Sequence, residues 1–220
     1  MEKDMRVINI FGKRYFLPLN GNMTETKANI LIESTLLFAK NGYSAVSVRD
    51  IAESVKITPG AIYNHFASME ALWIEVLNHA ELLFKQYFND LDKYLNEAET
   101  FEEALELMFK EPKEMKNVYV CYAFSIVLNE KLYNKQAAKV YSDTFNKYCI
   151  DMVTGWFDRF VTEGKVQPFN TELAAIAVSE FLYNAIDAWV LNKKNQELGF
   201  DHIVYVSAAE EIVRHLSGSK

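Results

Sequence analysis

The run 58–66, Thr-Pro-Gly-Ala-Ile-Tyr-Asn-His-Phe, holds the residue types in this chain best suited to recognising another molecule. Thr58 is a good helix N-cap, and Pro59 is tolerated in a first helical turn because the N–H it lacks would be unpaired there anyway. Ile62 and Phe66, four apart, supply the anchors that hold such a helix on a core, which turns Gly60, Ala61 and Asn64 outward. A small, polar face of this kind lets a backbone approach base edges in a major groove. Tyr63 and His65 stand on its flanks, where phosphates run. Asn64 has the bidentate geometry that reads an adenine, and Thr58 can set a hydroxyl and backbone amides against a phosphate.

A second short helix must support the first. In 48–55, VRDIAESV, the apolar residues Val48, Ile51, Ala52 and Val55 recur at i, i+3, i+4 and i+7, so one face is buried and Arg49, Asp50, Glu53 and Ser54 face out. Ser47 precedes it as an N-cap, with Asp50 placed to complete a capping box. Only Lys56 and Ile57 separate this helix from Thr58, and the two together predict a helix-turn-helix over 47–66.

The segment 26–77, TKANILIESTLLFAKNGYSAVSVRDIAESVKITPGAIYNHFASMEALWIEVL, resembles the N-terminal domain of the tetracycline-repressor (TetR) family. The likeness rests on a first helix with Leu-Phe and a Gly-Tyr ending, the Ile-Ala pair, the Gly-x-x-Tyr-x-His-Phe helix and the Glu-Ala-Leu that opens the next one, all in matching spacing. It implies a regulator that meets phosphates through Tyr63 and His65. The expected DNA contacts are Lys27, Ser47, Val48, Arg49, Lys56, Thr58, Pro59, Gly60, Ala61, Tyr63, Asn64 and His65. There are departures: Val55-Lys56 replaces the usual Ala-Gly, so a lysine must take up a turn that Gly accepts more easily, and Met69 stands where the family often has Lys.

Composition narrows the alternatives. The chain has 220 residues, a net charge of -7 and 24% charged residues, which excludes a disordered protein and one coated in basic charge. Residues 24–84 offer only Lys27, Lys40, Arg49 and Lys56 against seven acids, so DNA contacts must be few and placed. Cys121 and Cys149 lie in apolar helical stretches, as reduced cytoplasmic thiols do, and the four histidines have no metal-ligand spacing with them. Neither metal nor cofactor is expected. No nucleophile-base pair or phosphate loop suggests an enzyme. Arg6, Lys13 and Arg14 interrupt the N-terminal apolar runs before they reach signal-peptide length. Glu180 and Asp187 argue that 173–191 is a buried helix and not a membrane span.

Few Gly and Pro and near-continuous helical periodicity from Thr24 onward predict an all-α fold, and the resemblance implies its division into an N-terminal extension over 1–23, a three-helix DNA-binding domain over 24–84, and a helical ligand-binding and dimerisation domain over 85–220, joined by a long helix. The TetR resemblance implies a cavity for a small-molecule effector in that last domain. Its candidate lining is Tyr119, Tyr122, Tyr141, Phe145, Met152, Trp156, Tyr183, Asn184 and Asp187, although stripes of aromatics at helical spacing also describe plain core. Glu180, Asn184 and Asp187 form a narrow polar stripe, suited to a lipophilic cation if it faces the cavity and otherwise to solvent. The last helix presents Tyr205, Ala208, Ala209, Ile212 and Leu216, a stripe fit for a four-helix bundle with a second copy.

The function implied is a homodimeric regulator on a palindromic operator, a repressor in the commoner outcome, with a DNA-bound adaptor for another protein as the alternative. The first helix raises a separate question. Its core stripe is Ile30, Ser34, Leu37 and Phe38, yet Ile32, Leu36 and Ala39 form a second stripe on nearly the opposite side. Either the C-terminal domain or the apolar run 7–19, which reads as two short extended segments about Gly12-Lys13, must cover it.

Overall fold

The computed structural model describes the backbone over 5–10, 13–18, 23–114, 118–195 and 202–216, and the side chains over 23–109, 119–185 and 204–216. The extended runs at the N-terminus form an antiparallel hairpin, β1 (Met5–Ile10) and β2 (Lys13–Pro18), in which Met5 pairs with Pro18 and Ile10 with Lys13. From there every described element is helical: α1 (Glu25–Asn41), α2 (Val48–Val55), α3 (Pro59–Ile62), α4 (Met69–Glu97), α5 (Phe101–Glu114), α6 (Val118–Glu130), α7 (Lys135–Val140), α8 (Lys147–Thr162), α9 (Thr171–Asn195) and α10 (His202–Leu216). No described helix is long and apolar enough to cross a membrane.

The chain divides into two compact units, one made of Met1–Phe84 and Lys116–Tyr141, the other of Lys85–Met115 and Ser142–Lys220. The first crossing falls inside α4. The last falls inside a π-helical segment, Tyr141–Asn146, that joins α7 to α8. Residues 116–141 thus cluster with the DNA-binding helices, although the sequence reading assigned them to 85–220.

In the first unit, Thr24 caps α1 by accepting from Lys27 N, and the helix ends at Gly42, whose φ of 83° needs no side-chain accommodation. Phe38 meets Tyr43 and Trp73 edge-on, and Tyr43 stacks on Trp73 with ring centroids 4.4 Å apart. The second stripe of α1 is also covered. Ile32 and Ala39 are buried and Leu36 is half-buried; Thr35 is buried beside them, and α6 packs against this helix. Tyr119 of α6 donates its phenol to Thr35 Oγ1 at 3.0 Å, and Tyr43 N, just past the end of α1, donates to Glu130 Oε1 at 2.9 Å. Those two bonds run in the same order along both helices, so α6 lies parallel to α1.

In the second unit α8 packs on α9, and α10 packs on α5 and α9. Phe101 stacks on Trp156 at 5.6 Å and meets Phe160 edge-on. Arg159 donates to the carbonyls of Leu95 and Asn96, each at 2.9 Å, which satisfies acceptors that the last turn of α4 leaves open. The turn over 163–170 ends in Asn170, whose side chain accepts from Leu173 N at 3.0 Å and caps α9. The stripe expected on α10 is split: Ala209 is fully buried and Tyr205 stacks on Phe109 within the unit, while Ala208, Ile212 and Leu216 line an open groove.

Candidate nucleic-acid interface

The α2–α3 pair is built by its caps. Ser47 N donates to Asp50 Oδ2 at 2.7 Å and Asp50 N donates to Ser47 Oγ at 3.3 Å, a complete capping box. The Ser47 bonds hold the exposed Asp50 carboxyl below the usual carboxylate range. Ser47 also donates its hydroxyl to Asp50 Oδ2 at 2.6 Å, so a phosphate at this position would compete with that carboxylate.

The helix then stops at Lys56, which takes φ 60° and ψ 44°, the only non-glycine with positive φ among the described residues. Its N–H reaches back to the carbonyls of Ala52 and Glu53. A lysine therefore occupies the left-handed turn that the motif requires, at a steric cost Gly would not incur.

Thr58 caps α3 by accepting from Ala61 N at 3.3 Å, and Pro59 fills the first helical position. The expected helix is shorter than 58–66. Regular α-bonding ends at Ile62, the amides of Asn64 and His65 bond three residues back, and Phe66 N closes the turn on Ile62 O. The β-branched, aromatic and amide side chains of 62–66 are weak helix formers, and tertiary anchoring substitutes for propensity. Ile62 and Phe66 are buried at 2% and 3% exposure and pin the turn from beneath.

The outward face comes together as its spacing predicts. Tyr63 is 52% exposed, Thr58, Pro59, Gly60 and Asn64 are exposed, and Ala61 and His65 are half-buried. A Cβ added at Gly60 would meet nothing within 4 Å, so the space over this glycine is open. Arg49 and Lys56 are exposed and Val48 is half-buried. Lys27, at the start of α1, lies 3.5 Å from Glu75 of α4 and 5.1 Å from the Phe66 ring centroid, which brings the N-terminal end of α1 beside the end of the recognition turn.

Sequence reasoning missed the group behind this surface. Glu130 accepts from Tyr43 N, and the Tyr43 phenol is raised above its ordinary range by burial first, then by the charges of Glu70 and Glu130. The partners are 87 residues apart, and no local pattern marks such a pair.

The candidate effector residues divide between the two units. Tyr119, Tyr122 and Tyr141 belong to the first. Tyr119 is a buried strut there: beyond its bond to Thr35, its phenol oxygen lies 3.2 Å from His79 Nδ1, and burial raises its ionisation far above the usual phenol range. Tyr122 is buried, and half-buried Tyr141 receives Lys131 Nζ 3.6 Å from its ring centroid. Phe145, Met152, Trp156, Tyr183 and Asn184 belong to the second unit. Tyr183 donates to the carbonyl of Phe145 inside the π-helical segment, and Met152 is half-buried. The Trp156 indole N–H and the Thr154 hydroxyl are buried with no hydrogen-bond partner among the described residues.

On the polar stripe of α9, Glu180 and Asn184 are exposed; the Asp187 side chain lies outside the described residues. Cys149 is buried beside Ser179 and Tyr183, and burial pushes its thiol up to about 11, so it is a packed thiol and not a reactive thiolate. Among the described residues no group of His, Cys, Asp and Glu could hold a metal ion.

A capped helix pair with an exposed small and polar recognition turn, carried on a helical body, defines a helix-turn-helix DNA-binding regulator. Residues 30–76 match the family described as bacterial regulatory proteins, tetR family. It is 27% identical over 139 residues to the HTH-type transcriptional repressor KstR2 of Mycobacterium tuberculosis, covering 58% of this chain and 68% of that protein. Over 54 residues it is 46% identical to the HTH-type transcriptional regulator YuxN of Bacillus subtilis, covering 24% of this chain but only 19% of that protein's length. Among solved structures, a transcriptional regulator from Saccharomonospora viridis in complex with choline superposes with a TM-score of 0.65 at 17% identity, covering 88% of this chain and 97% of the other. That likeness concerns the fold. The family consists of DNA-binding transcriptional regulators, which are not enzymes.

Proposed function

We propose that the protein is a homodimeric repressor that holds a palindromic operator through the 47–66 motif and is released by a small molecule bound in its second unit. The observation that carries the reading is the recognition turn itself, whose apolar residues are buried while Gly60, Tyr63 and Asn64 are presented to solvent. Tyr63 and His65 contact phosphates on either side, and Asn64 reads a base.

Dimerisation is supported by the second unit. Leu173, Ala177 and Phe181 on α9 and Ala208, Ile212 and Leu216 on α10 each recur at i, i+4 and i+8 and line a groove of about 590 Å³. Leu173 is 51% and Ile176 43% exposed, apolar area that a four-helix bundle with a second copy would bury. Two recognition turns carried this way must stand about 34 Å apart to enter successive major grooves.

An effector that favours another separation lowers DNA affinity by its differential binding to the two states. The Trp156 N–H, buried with no hydrogen-bond partner among the described residues, is a polar group that a ligand can satisfy, and the π-helical segment beside Tyr183 is the kind of irregularity found at functional sites.

The test is binding to duplexes selected from a random pool by the full chain. Tyr63→Ala and His65→Ala should weaken binding to every duplex alike, and Asn64→Ala should relax preference at one position, a change of roughly 1–3 kcal/mol in discrimination. Unchanged affinity and preference in all three variants would refute the assignment.

A further inference from the structure

The DNA-binding module is short of positive charge: residues 24–84 carry four basic groups against seven acids, whereas 5–22 carry Arg6, Lys13 and Arg14 and no acid at all. A polyanion is best met by that second segment. The family match begins at residue 30 and leaves it out.

The backbone register organises those charges. Arg6, Ile8 and Ile10 share a face of the hairpin with Leu17, Tyr15 and Lys13, and Arg14 stands opposite Asn9 on the other face. Lys13, Arg14 and Asn9 thus gather at the turn end of a two-stranded ribbon, with Arg6 towards its base. In the register Ile8 stands opposite Tyr15 and Val7 opposite Phe16, β-branched and aromatic types favoured at facing positions of a ladder.

Two further observations say where the ribbon works. Pro18 and Glu25 are joined by six residues, which span at most about 25 Å. The start of α1 to which they lead carries Lys27, whose Nζ lies 5.1 Å from the ring centroid of Phe66 in the recognition turn. The hairpin is therefore tethered to the edge of the module that meets DNA. The competing task, covering the second stripe of α1, falls to α6, which packs against α1 and bonds to Thr35 through Tyr119, where Ile32 and Ala39 are buried and Leu36 is half-buried.

We propose that the β1–β2 hairpin is a second DNA-binding element, whose Arg6, Lys13 and Arg14 hold phosphates of the duplex engaged by the helix-turn-helix. The assignment rests on the DNA-binding reading of 47–66. A two-stranded ribbon also fits a major groove, about 12 Å wide, which leaves the turn end free to lie along its edge.

The experiment uses the full chain and the triple variant Arg6→Gln/Lys13→Gln/Arg14→Gln, which leaves the cross-strand pairs intact. The probe is a mixed-sequence 40-bp duplex titrated by fluorescence anisotropy across a range of KCl concentrations. Each phosphate released changes the slope of log K against log salt by about 0.9, so the variant's slope should be shallower by up to about 3 per subunit, with affinity at least tenfold lower near 0.1 M salt. Equal slopes and affinities would overturn the proposal, as would a variant unchanged on DNA but weakened on vesicles rich in anionic lipid.

Tyr63→Ala, measured alongside, separates the two assignments. If it weakens binding while the triple variant does not, only the hairpin assignment fails; if the unmodified chain does not bind the duplex at all, the helix-turn-helix reading fails with it. An unchanged melting temperature in the triple variant confirms that the charges act on DNA and not on folding.

Discussion

Replacing Lys56 by Gly should make the protein more stable and a weaker DNA binder at once. Lys56 occupies φ 60° and ψ 44° at the end of α2, with its N–H committed to the carbonyls of Ala52 and Glu53, so the turn cannot relax without giving up those bonds. A residue with a Cβ loses roughly 1–2 kcal/mol in this conformation. Gly removes that cost but loses about 0.5–1 kcal/mol more than Ala in backbone entropy on folding. The net gain over Lys56→Ala is about 1 kcal/mol, or roughly 2–4 °C in Tm for a chain of this size. At an ordinary helical position the sign reverses and Ala is the better residue. The Gly and Ala variants lack the same charge, so comparing their thermal unfolding by circular dichroism isolates the backbone. Both should lose about 0.9 from the salt slope per subunit if Lys56 neutralises one phosphate. A Gly variant no more stable than the Ala variant would show that the left-handed turn carries no cost here.

Three other outcomes follow from buried groups and the α9–α10 groove. The Cys149 thiol is raised to about 11 by burial, above the ordinary value of 9, so its contribution is intact below pH 9 and fades as pH rises towards 11, by roughly 3 kcal/mol; Cys149→Ala should flatten that alkaline decline in a denaturant series, and an unaltered decline would contradict it. Tyr119→Phe leaves Thr35 bonded to Leu31 O but strips a buried partner from His79, which should cost about 1–3 kcal/mol; a neutral denaturation midpoint would show that the phenol is not a strut. Ile212→Asp places a charge in the groove beside Phe181 and should give a monomer in sedimentation with its helicity retained, whereas an unshifted dimer would place the interface elsewhere.

The helix-turn-helix was legible in the sequence because its determinants are local. Ser47 and Asp50, Thr58 and Pro59, and the spacing of Ile51, Ala52, Ile62 and Phe66 each act within one turn, and the conflict at Val55-Lys56 pointed to a lysine held at positive φ. The reading weakened where burial depends on distant partners. Residues 119–128 of α6 are buried on every side, so aromatic spacing there could not separate a cavity wall from core, and Tyr119 is held by Thr35 from 84 residues away. On α10 the stripe was right in period but too wide. Ala209 and Tyr205 turn towards their own unit, and the difference between neighbouring positions is decided by where α5 and α9 lie, which periodicity alone does not contain.

The charge pattern bears on how such a regulator would be released. On the proposed dimeric reading, four basic groups against seven acids in 24–84 allow few phosphate contacts, so sequence-independent affinity would be low and binding would depend on engaging two half-sites together. An effector that only changes the spacing of the two recognition turns then removes the avidity while leaving each contact chemically intact. Coupling of about 1–3 kcal/mol corresponds to a 5- to 150-fold change in affinity, which is enough to empty a site held by a marginal excess of binding energy. A hairpin that adds phosphate contacts opposes this, since it strengthens each half-site independently of spacing. A dimer engages two hairpins and a monomer one, so Ile212→Asp should cost the triple hairpin variant less operator affinity than it costs the unmodified chain, by the contribution of one hairpin, and equal losses would mean that the hairpin adds nothing at each half-site.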